Sequence, residues 1–190
     1  DEFYDTSGVD ASASTNEQRV ASGSNFYYDG GSTTTPTVTQ DADDTGVDGD
    51  YTWYKWTDTT GTGSYNTDTT QAHSWMIVAG GGAGGNAQFS SDYASGAGGG
   101  GGYRAGTELS LTGGNAYTVT VGAGGTYSGE ETRPAGDGGD SIISGTGITT
   151  ITSTGGGGGG YGAGTGYTEI STGGDGGSGG GGGAQGSVPG

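Results

Sequence analysis

The sequence predicts an all-β protein: a β-sandwich or jelly-roll-like domain with glycine-rich, polyglycine-type layers and an extended N-terminal arm. Three observations carry that expectation. Short β-branched and aromatic runs are bounded by turn residues along most of the chain. The second half shows no apolar period of the helical kind. And 51 of the 190 residues are glycine, gathered in runs that follow the expected strands.

Taken in order, residues 1–24 are polar, with scattered Phe3, Tyr4, Val9 and Val20, and residues 11–20 suggest at most a turn or two of helix. Phe26-Tyr27-Tyr28 reads as a short strand closed by Asp29-Gly30-Gly31. The β-branched run 33–39 contains Pro36, which assigns it to an edge strand or a loop. Residues 41–50 read as an acidic loop, and the aromatic run 51–57 as a strand with rings on both faces. Trp75-Met76-Ile77-Val78-Ala79 reads as a short buried strand. Residues 109–112 and 117–121 alternate around Gly113-Gly114-Asn115, the pattern of a hairpin. Residues 141–143 and 148–152 form a second pair around Gly145-Thr146-Gly147, and 167–171 suggest a last strand. The change of style at His73 places the domain boundary there: an arm and β-rich extension over 1–72, a glycine-rich β domain over 73–190.

Glycine runs occupy 80–82, 98–102, 155–160 and 179–183. A flexible linker is one reading. Recurrence after strands within one domain favours another: extended helices of polyproline type, three residues per turn, which approach closely and bond laterally from N–H to C=O.

Leu, Ile, Val and Phe together number 19 of the 190 residues, and the net charge is −17. So thin a set of core formers must find its ordering energy elsewhere, and packing between subunits is one source. Four basic residues argue against nucleic acid and against anionic membrane surfaces. No apolar run approaches the ~20 residues of a membrane span. Without cysteine there are no disulfide staples. The first residue is Asp1, compatible with removal of a signal peptide.

The order of blocks in the second half carries a resemblance. It runs from Trp75-Met76-Ile77-Val78-Ala79-Gly80-Gly81-Gly82 through residues 98–107 (with Tyr103-Arg104-Ala105-Gly106-Thr107) and Leu109-Ser110-Leu111. It continues with Tyr117-Thr118-Val119-Thr120-Val121-Gly122-Ala123-Gly124-Gly125, Gly138-Gly139-Asp140-Ser141-Ile142, and Ile151-Thr152-Ser153-Thr154 before 155–160. This resembles the glycine-rich domain of phage tail-fibre-like and uncharacterised bacterial surface proteins, over about residues 73–190. The resemblance implies a β-rich domain with glycine-rich layers, displayed outside the cell or on a virion.

Candidate sites are few. Asp41 and Asp43, and again Asp48 and Asp50, lie two apart around Gly46 and Gly49, a spacing that suits calcium, which takes six to eight oxygens. The twelfth position of such a loop is Thr52 rather than a bidentate Glu, and a solvated acidic turn is the plainer reading. Asp in the glycine turns 136–140 and 173–177 is expected turn chemistry. His73, the lone imidazole, lacks a nucleophile elbow or a zinc set, and Glu130-Glu131 do not read as a catalytic pair. No enzyme is expected. Trp53, Tyr54, Trp56 and Tyr65 are candidates for sugar stacking, for the core, or for a subunit contact.

The functional expectation is a structural subunit that assembles head-to-tail with identical subunits into an extracellular filament. Its arm, carrying Phe3, Tyr4 and Val9, would add a strand to its neighbour, with Trp53, Tyr54 and Trp56 as further contacts. The alternative is a fibre tip or adhesin that binds receptors or surface glycans through glycine-rich loops bearing Tyr161 and Tyr167.

Overall fold

The computed structural model describes residues 19–22, 25–28, 37–49, 51–86, 94–127, 135–162 and 172–184. Among these there are eleven strands and no helix, so the all-β expectation holds. The chain forms two compact units, Asp1–Thr37 and Val38–Gly190.

In the first unit β1 (Arg19–Ser22) pairs antiparallel with β2 (Asn25–Tyr28), Arg19 opposite Tyr28. The expected strand at 26–28 is present, and Val20, expected within a weak helix, lies in β1 instead.

In the second unit β3 (Val38–Gln40), β6 (Thr62–Thr67), β9 (Ala116–Thr120), β10 (Ser141–Gly145) and β11 (Ile151–Ser153) form one antiparallel sheet, in the order β11-β10-β9-β6-β3. β4 (Asp44–Asp48) pairs with β5 (Tyr51–Lys55), and β7 (Gln71–Val78) with β8 (Tyr103–Leu111). The edge position expected of the segment after Pro36 is where β3 lies. The expected boundary at residue 73 is corrected. β3 and β6 hydrogen-bond into the sheet of β9, so the change of composition falls inside one compact unit.

Two further expectations change. The acidic segment 41–50 is not a loop, because Asp44–Asp48 is a strand whose hairpin turns at Gly49, where φ is +59°. The hairpin expected between 109–112 and 117–121 does not form. Gly114 does turn, with φ +80°, but β8 pairs with β7 while β9 pairs with β6 and β10. The turn is therefore a corner between sheets. The Tyr117 hydroxyl secures it, accepting the Thr112 N–H at 2.7 Å.

The side-chain core is small and aromatic. Tyr65, Leu111 and Tyr117 are buried, and Val38, Tyr54, Trp56, Leu109 and Ile148 pack against them. Tyr65 meets Tyr54 edge-on at 5.5 Å and Trp56 at 6.3 Å between ring centroids, the geometry aromatic quadrupoles favour. Along β7 the burial alternates, so the expected buried strand is covered on one face only: Ile77 is buried, Met76 and Val78 are exposed. Between His73 and Trp75 the ladder is bulged, with Thr107 and Glu108 of β8 facing the single residue Ser74 of β7. Glu108 in the bulge adopts φ +64°, a strained conformation for a residue with a Cβ.

A second core contains almost no side chains. Segment 154–162 runs through the middle of five neighbours, and residues 155–162 are all buried. Gly156 and Gly159 donate their N–H groups to Gly80 and Ala83, at 2.9 and 2.8 Å; Gly157 and Gly160 donate to Ser178 and Gly181, at 3.0 and 2.8 Å. The carbonyls of Thr154, Gly157 and Gly160 accept from Gly102, Gly99 and Gly96, at 2.8, 2.7 and 2.8 Å. Those of Gly156 and Gly159 accept from Gly138 and Ala135, and those of Gly155 and Gly158 from Gly177 and Gly174. Each neighbour is met at every third residue, which is the period of a polyproline-II-type helix with no bonds of its own. Segments 79–86 and 178–184 run parallel to the centre, while 94–102, 135–140 and 172–177 run antiparallel. The packed glycine helices expected from the sequence are thus the interior of the domain.

Strands and glycine segments are continuous. β7 runs into 79–86, and 94–102 runs into β8, so the Ala79 N–H to Gly102 bond at 2.9 Å extends the β7–β8 ladder. β9 runs into 121–127 and 135–140 into β10, with Gly139 bonded to Ala123 at 2.7 Å beyond the β9–β10 pairing. β11 runs into the central segment. The sheet register therefore sets the register of the glycine layer.

The close approach excludes side chains selectively. A methyl added at Gly158 would overlap the carbonyl of Ala135, whereas one added at Gly84 or Gly100 would meet nothing within 4 Å. Gly158→Ala is expected to cost roughly 3 kcal/mol or more, because the displaced atoms are backbone. Gly84→Ala and Gly100→Ala should leave stability unchanged or raise it by about 0.5 kcal/mol. Chemical denaturation of the three variants checks this contrast; equal losses at all three would contradict the packing.

Candidate functional site

The acidic hairpin was the sequence's first candidate. Asp41 Oδ1 accepts the Trp56 Nε1–H at 3.0 Å and the Ser64 N–H at 2.6 Å. Asp43 Oδ2 accepts from the Thr57 N–H, the Thr57 hydroxyl at 3.1 Å and the Asp58 N–H at 2.8 Å. Asp44 pairs with Lys55 at 2.7 Å. The Ser64 amide, the Thr57 amide and the Lys55 ammonium respectively are the main causes holding these carboxyls below their ordinary range. Asp48 faces Tyr51 across the turn, and Asp50 lies outside the described residues. Among the described residues no group of three or more acidic, His or Cys side chains is arranged around a metal. Asp41, Asp43 and Asp48 are not gathered as the calcium reading of this segment would require, and Asp50, its fourth residue, lies outside the described residues. Asp41 and Asp43 instead tie the start of the hairpin to β6 and to the segment after β5.

The aromatic candidates separate. Tyr54 and Trp56 are half-buried and pack against the core around Tyr65, the core place that was one of the expectations for them. Trp53 points to the other face of the ribbon and is 40% exposed; Tyr51, on the same face, is 78% exposed. Trp53 lies across Gly46, where a Cβ would run into its six-membered ring. Phe3, Tyr4 and Val9 lie outside the described residues, as do Tyr167 and Glu130-Glu131. Tyr161, expected at a loop tip, is 3% exposed at the end of the central glycine segment.

His73 takes a structural place. Its Nε2 lies 2.9 Å from the Tyr65 hydroxyl and its Nδ1 3.2 Å from the Gln71 carbonyl oxygen. Nδ1 must carry the proton to meet that carbonyl, which leaves Nε2 to accept from Tyr65. This bond joins β6 to β7. Burial, and then the neighbouring Tyr54, push the Tyr65 hydroxyl from 10.0 up to about 12.

The residues that sequence reasoning undervalued are Asp137 and Asp140. They stand three apart on a segment of three residues per turn, so both face one side. Asp137 Oδ1 accepts the Gly158 N–H at 2.7 Å, and Asp140 Oδ1 the Gly155 N–H at 2.8 Å. Among the described residues no backbone carbonyl accepts these two N–H groups, so two carboxylates take that place. The i, i+3 spacing was visible in the sequence, but its meaning depends on the threefold period. Close by, the Ser141 hydroxyl donates to Val78 O at 2.8 Å and accepts the Gly122 N–H at 2.9 Å, joining three elements where sheet becomes glycine layer. Ser153, its partner across β10–β11, has a buried hydroxyl without a hydrogen bond.

One exposed apolar face remains. Met76, Val78 and Tyr103 are 66%, 54% and 64% exposed, and Val78 pairs directly with Tyr103 on the β7–β8 ribbon. No helix among the described residues is long and apolar enough to cross a membrane.

These features define a class by architecture: an all-β domain whose interior is a lateral array of glycine helices. No family model, curated protein or solved structure matches the chain.

Two outcomes are expected. Asp137→Ala and Asp140→Ala should each lower stability by about 1–2 kcal/mol, by stranding a buried N–H, while Asp→Asn at either position keeps the acceptor and loses less than half as much. Thermal melts read this directly. For Tyr65 the neutral hydroxyl is favoured in the folded state, so its contribution is complete below pH 10 and lost as pH rises through about 12. In Tyr65→Phe that part of the alkaline loss should disappear; an unchanged alkaline profile would show that Tyr65 is not its source.

Proposed function

We propose that the chain is a non-enzymatic structural module of an extracellular or virion appendage: a rigid scaffold that orders itself and presents its loops and hairpins outward. One observation carries this reading. Every N–H and C=O from Gly155 to Gly160 is bonded within the same chain. The order that a thin apolar core does not supply is supplied internally, at about 0.5–1.5 kcal/mol net per lateral bond. A tip or adhesin needs such a self-sufficient scaffold. The charge of −17 favours solubility in isolation and disfavours polyanionic partners.

A second reading, the head-to-tail filament of identical subunits, draws on the exposed Met76, Val78 and Tyr103 face of a two-stranded ribbon. A neighbour's arm bearing Phe3, Tyr4 and Val9 would cover that face by strand addition.

Light scattering and negative-stain imaging of the purified chain separate the two. A folded monomer at micromolar concentration, with a cooperative melt independent of concentration, is the outcome expected of the self-contained scaffold. Filaments that vanish on deletion of residues 1–12 would establish the polymer reading instead.

A further inference from the structure

We propose that the Tyr51–Trp53 face of the β4–β5 hairpin is a stacking platform for a neutral polysaccharide. The inference goes beyond the scaffold reading, since it assigns a ligand class to a surface the scaffold does not use.

The register fixes what shares this face. Asp44 is opposite Lys55, Gly46 opposite Trp53, and Asp48 opposite Tyr51, and directly opposed residues of an antiparallel pair point the same way. Tyr54 and Val47 point to the other side. The face is therefore a row of two aromatic side chains flanked by carboxylates and an ammonium.

Trp53 is seated rather than merely exposed. Glycine at position 46 lets the indole lie across the partner strand, and the ring would collide with any larger residue there. The Thr45 hydroxyl donates to the Trp53 carbonyl at 2.8 Å and holds the backbone beneath it. Lys55 Nζ stands over the indole, 5.8 Å from its centroid, and is tied to Asp44 at 2.7 Å, so a donor and an acceptor accompany the ring on this face. Both of those side chains remain about half exposed, at 53% and 51%.

The chemistry of the occupant follows. A flat apolar ring with hydrogen-bonding groups around its edge matches a pyranose, whose C–H face is apolar and whose hydroxyls radiate in the ring plane. A protein partner would be met by a contiguous apolar core, which this charged face lacks and the Met76–Val78–Tyr103 face has. Nucleic acids are disfavoured by their phosphates, and acidic sugars by their carboxylates, given −17 net charge and the adjacent Asp44 and Asp48. The two rings lie two residues apart on one strand, about 7 Å, so they form a row. A sugar chain laid along the strand would meet both rings, and two weak stacking contacts would act together through their linkage.

The test is a titration of the full chain, labelled with nitrogen-15, by cellohexaose, maltohexaose and mannohexaose, with hexagalacturonate as the anionic control. At least one neutral hexamer is expected to move the Trp53 indole N–H signal with a millimolar midpoint, leaving those of Trp56 and Trp75 in place. Read at the backbone amides of β4 and β5, which every variant keeps, Trp53→Ala should abolish the response, Tyr51→Ala should weaken it several-fold, and Trp53→Phe, which keeps a flat ring, should restore part of it. Unchanged amide signals from β6, β9 and β10 in each variant show that the sheet is intact. The proposal is overturned if no neutral hexamer moves the Trp53 signal, if hexagalacturonate binds as well, or if the response survives Trp53→Ala. A Trp53 signal that moves with protein concentration alone would assign the face to a second copy of the chain, and would equally overturn it.

Discussion

The structure depends on one constraint: the central glycine segment must have no Cβ. Its five neighbours approach until backbone touches backbone, and the positions a Cβ would take at Gly155 and Gly158 are filled by the carbonyls of Gly138 and Ala135. That proximity lets N–H and C=O groups bond laterally at 2.7–3.1 Å around residues 155–160. Burying so much backbone without those bonds would be prohibitive, since each stranded group costs about 1–3 kcal/mol. With them, the interior becomes a hydrogen-bonded lattice. Few apolar side chains are then needed, and the unusual composition follows as a requirement of the packing.

A lattice of identical glycines has no register of its own. Shifting one helix by three residues would recover nearly the same bonds. The strands remove this degeneracy. Each side chain alternates between faces, so a slip of one residue in β7 would expose Ile77 and bury Met76. Because β7, β8, β9, β10 and β11 continue directly into glycine segments, their pairing is carried into the layer. Ser141 stands at that transition and bonds to two other elements. The aromatic core around Tyr65 and Tyr117 performs the same service at the far end of the sheet, and the Tyr65–His73 bond couples that sheet to the β7–β8 ribbon. The small side-chain core thus contributes specificity as well as burial.

Much of this was legible in the sequence, and the failures share a cause. Strands with β-branched or aromatic runs, such as β5 and β9, were found. So was the packing of glycine runs as threefold helices, since glycine recurring after strands has few other ordered uses. β6 was missed because Thr62-Gly63-Ser64-Tyr65-Asn66-Thr67 carries one apolar side chain, yet Tyr65 and Thr67 are both buried. Asp41 and Asp43 suggested a cation because their spacing was read without the donors that Trp56, Thr57, Asp58 and Ser64 bring to them. The hairpin at Gly113-Gly114 failed for the same reason: local alternation identifies strands, but the choice of partner is set by distant residues. Aromatic identity alone did not separate Trp53 from Tyr54 and Trp56. Their alternation along β5, with β4 alongside, did.

The carboxylates of Asp137 and Asp140 sharpen what an array of this kind demands at its margins. A lattice helix inside the bundle satisfies its bonds with other helices, but any finite bundle has an outer surface. Where water reaches that surface, as at Gly84 and Gly100, nothing further is required. Where a buried N–H of the central segment meets no backbone carbonyl among the described residues, as at Gly155 and Gly158, a side chain provides the acceptor. Only a side chain repeating every third residue reaches successive unpaired N–H groups of a threefold helix, and a short acceptor bridges the gap without opening the packing. Asp at i and i+3 meets both conditions. Acidic residues at this spacing beside glycine runs therefore have a structural meaning that precedes any role in binding metal, and a glycine array can be closed by two carboxylates where it cannot be extended by another chain segment.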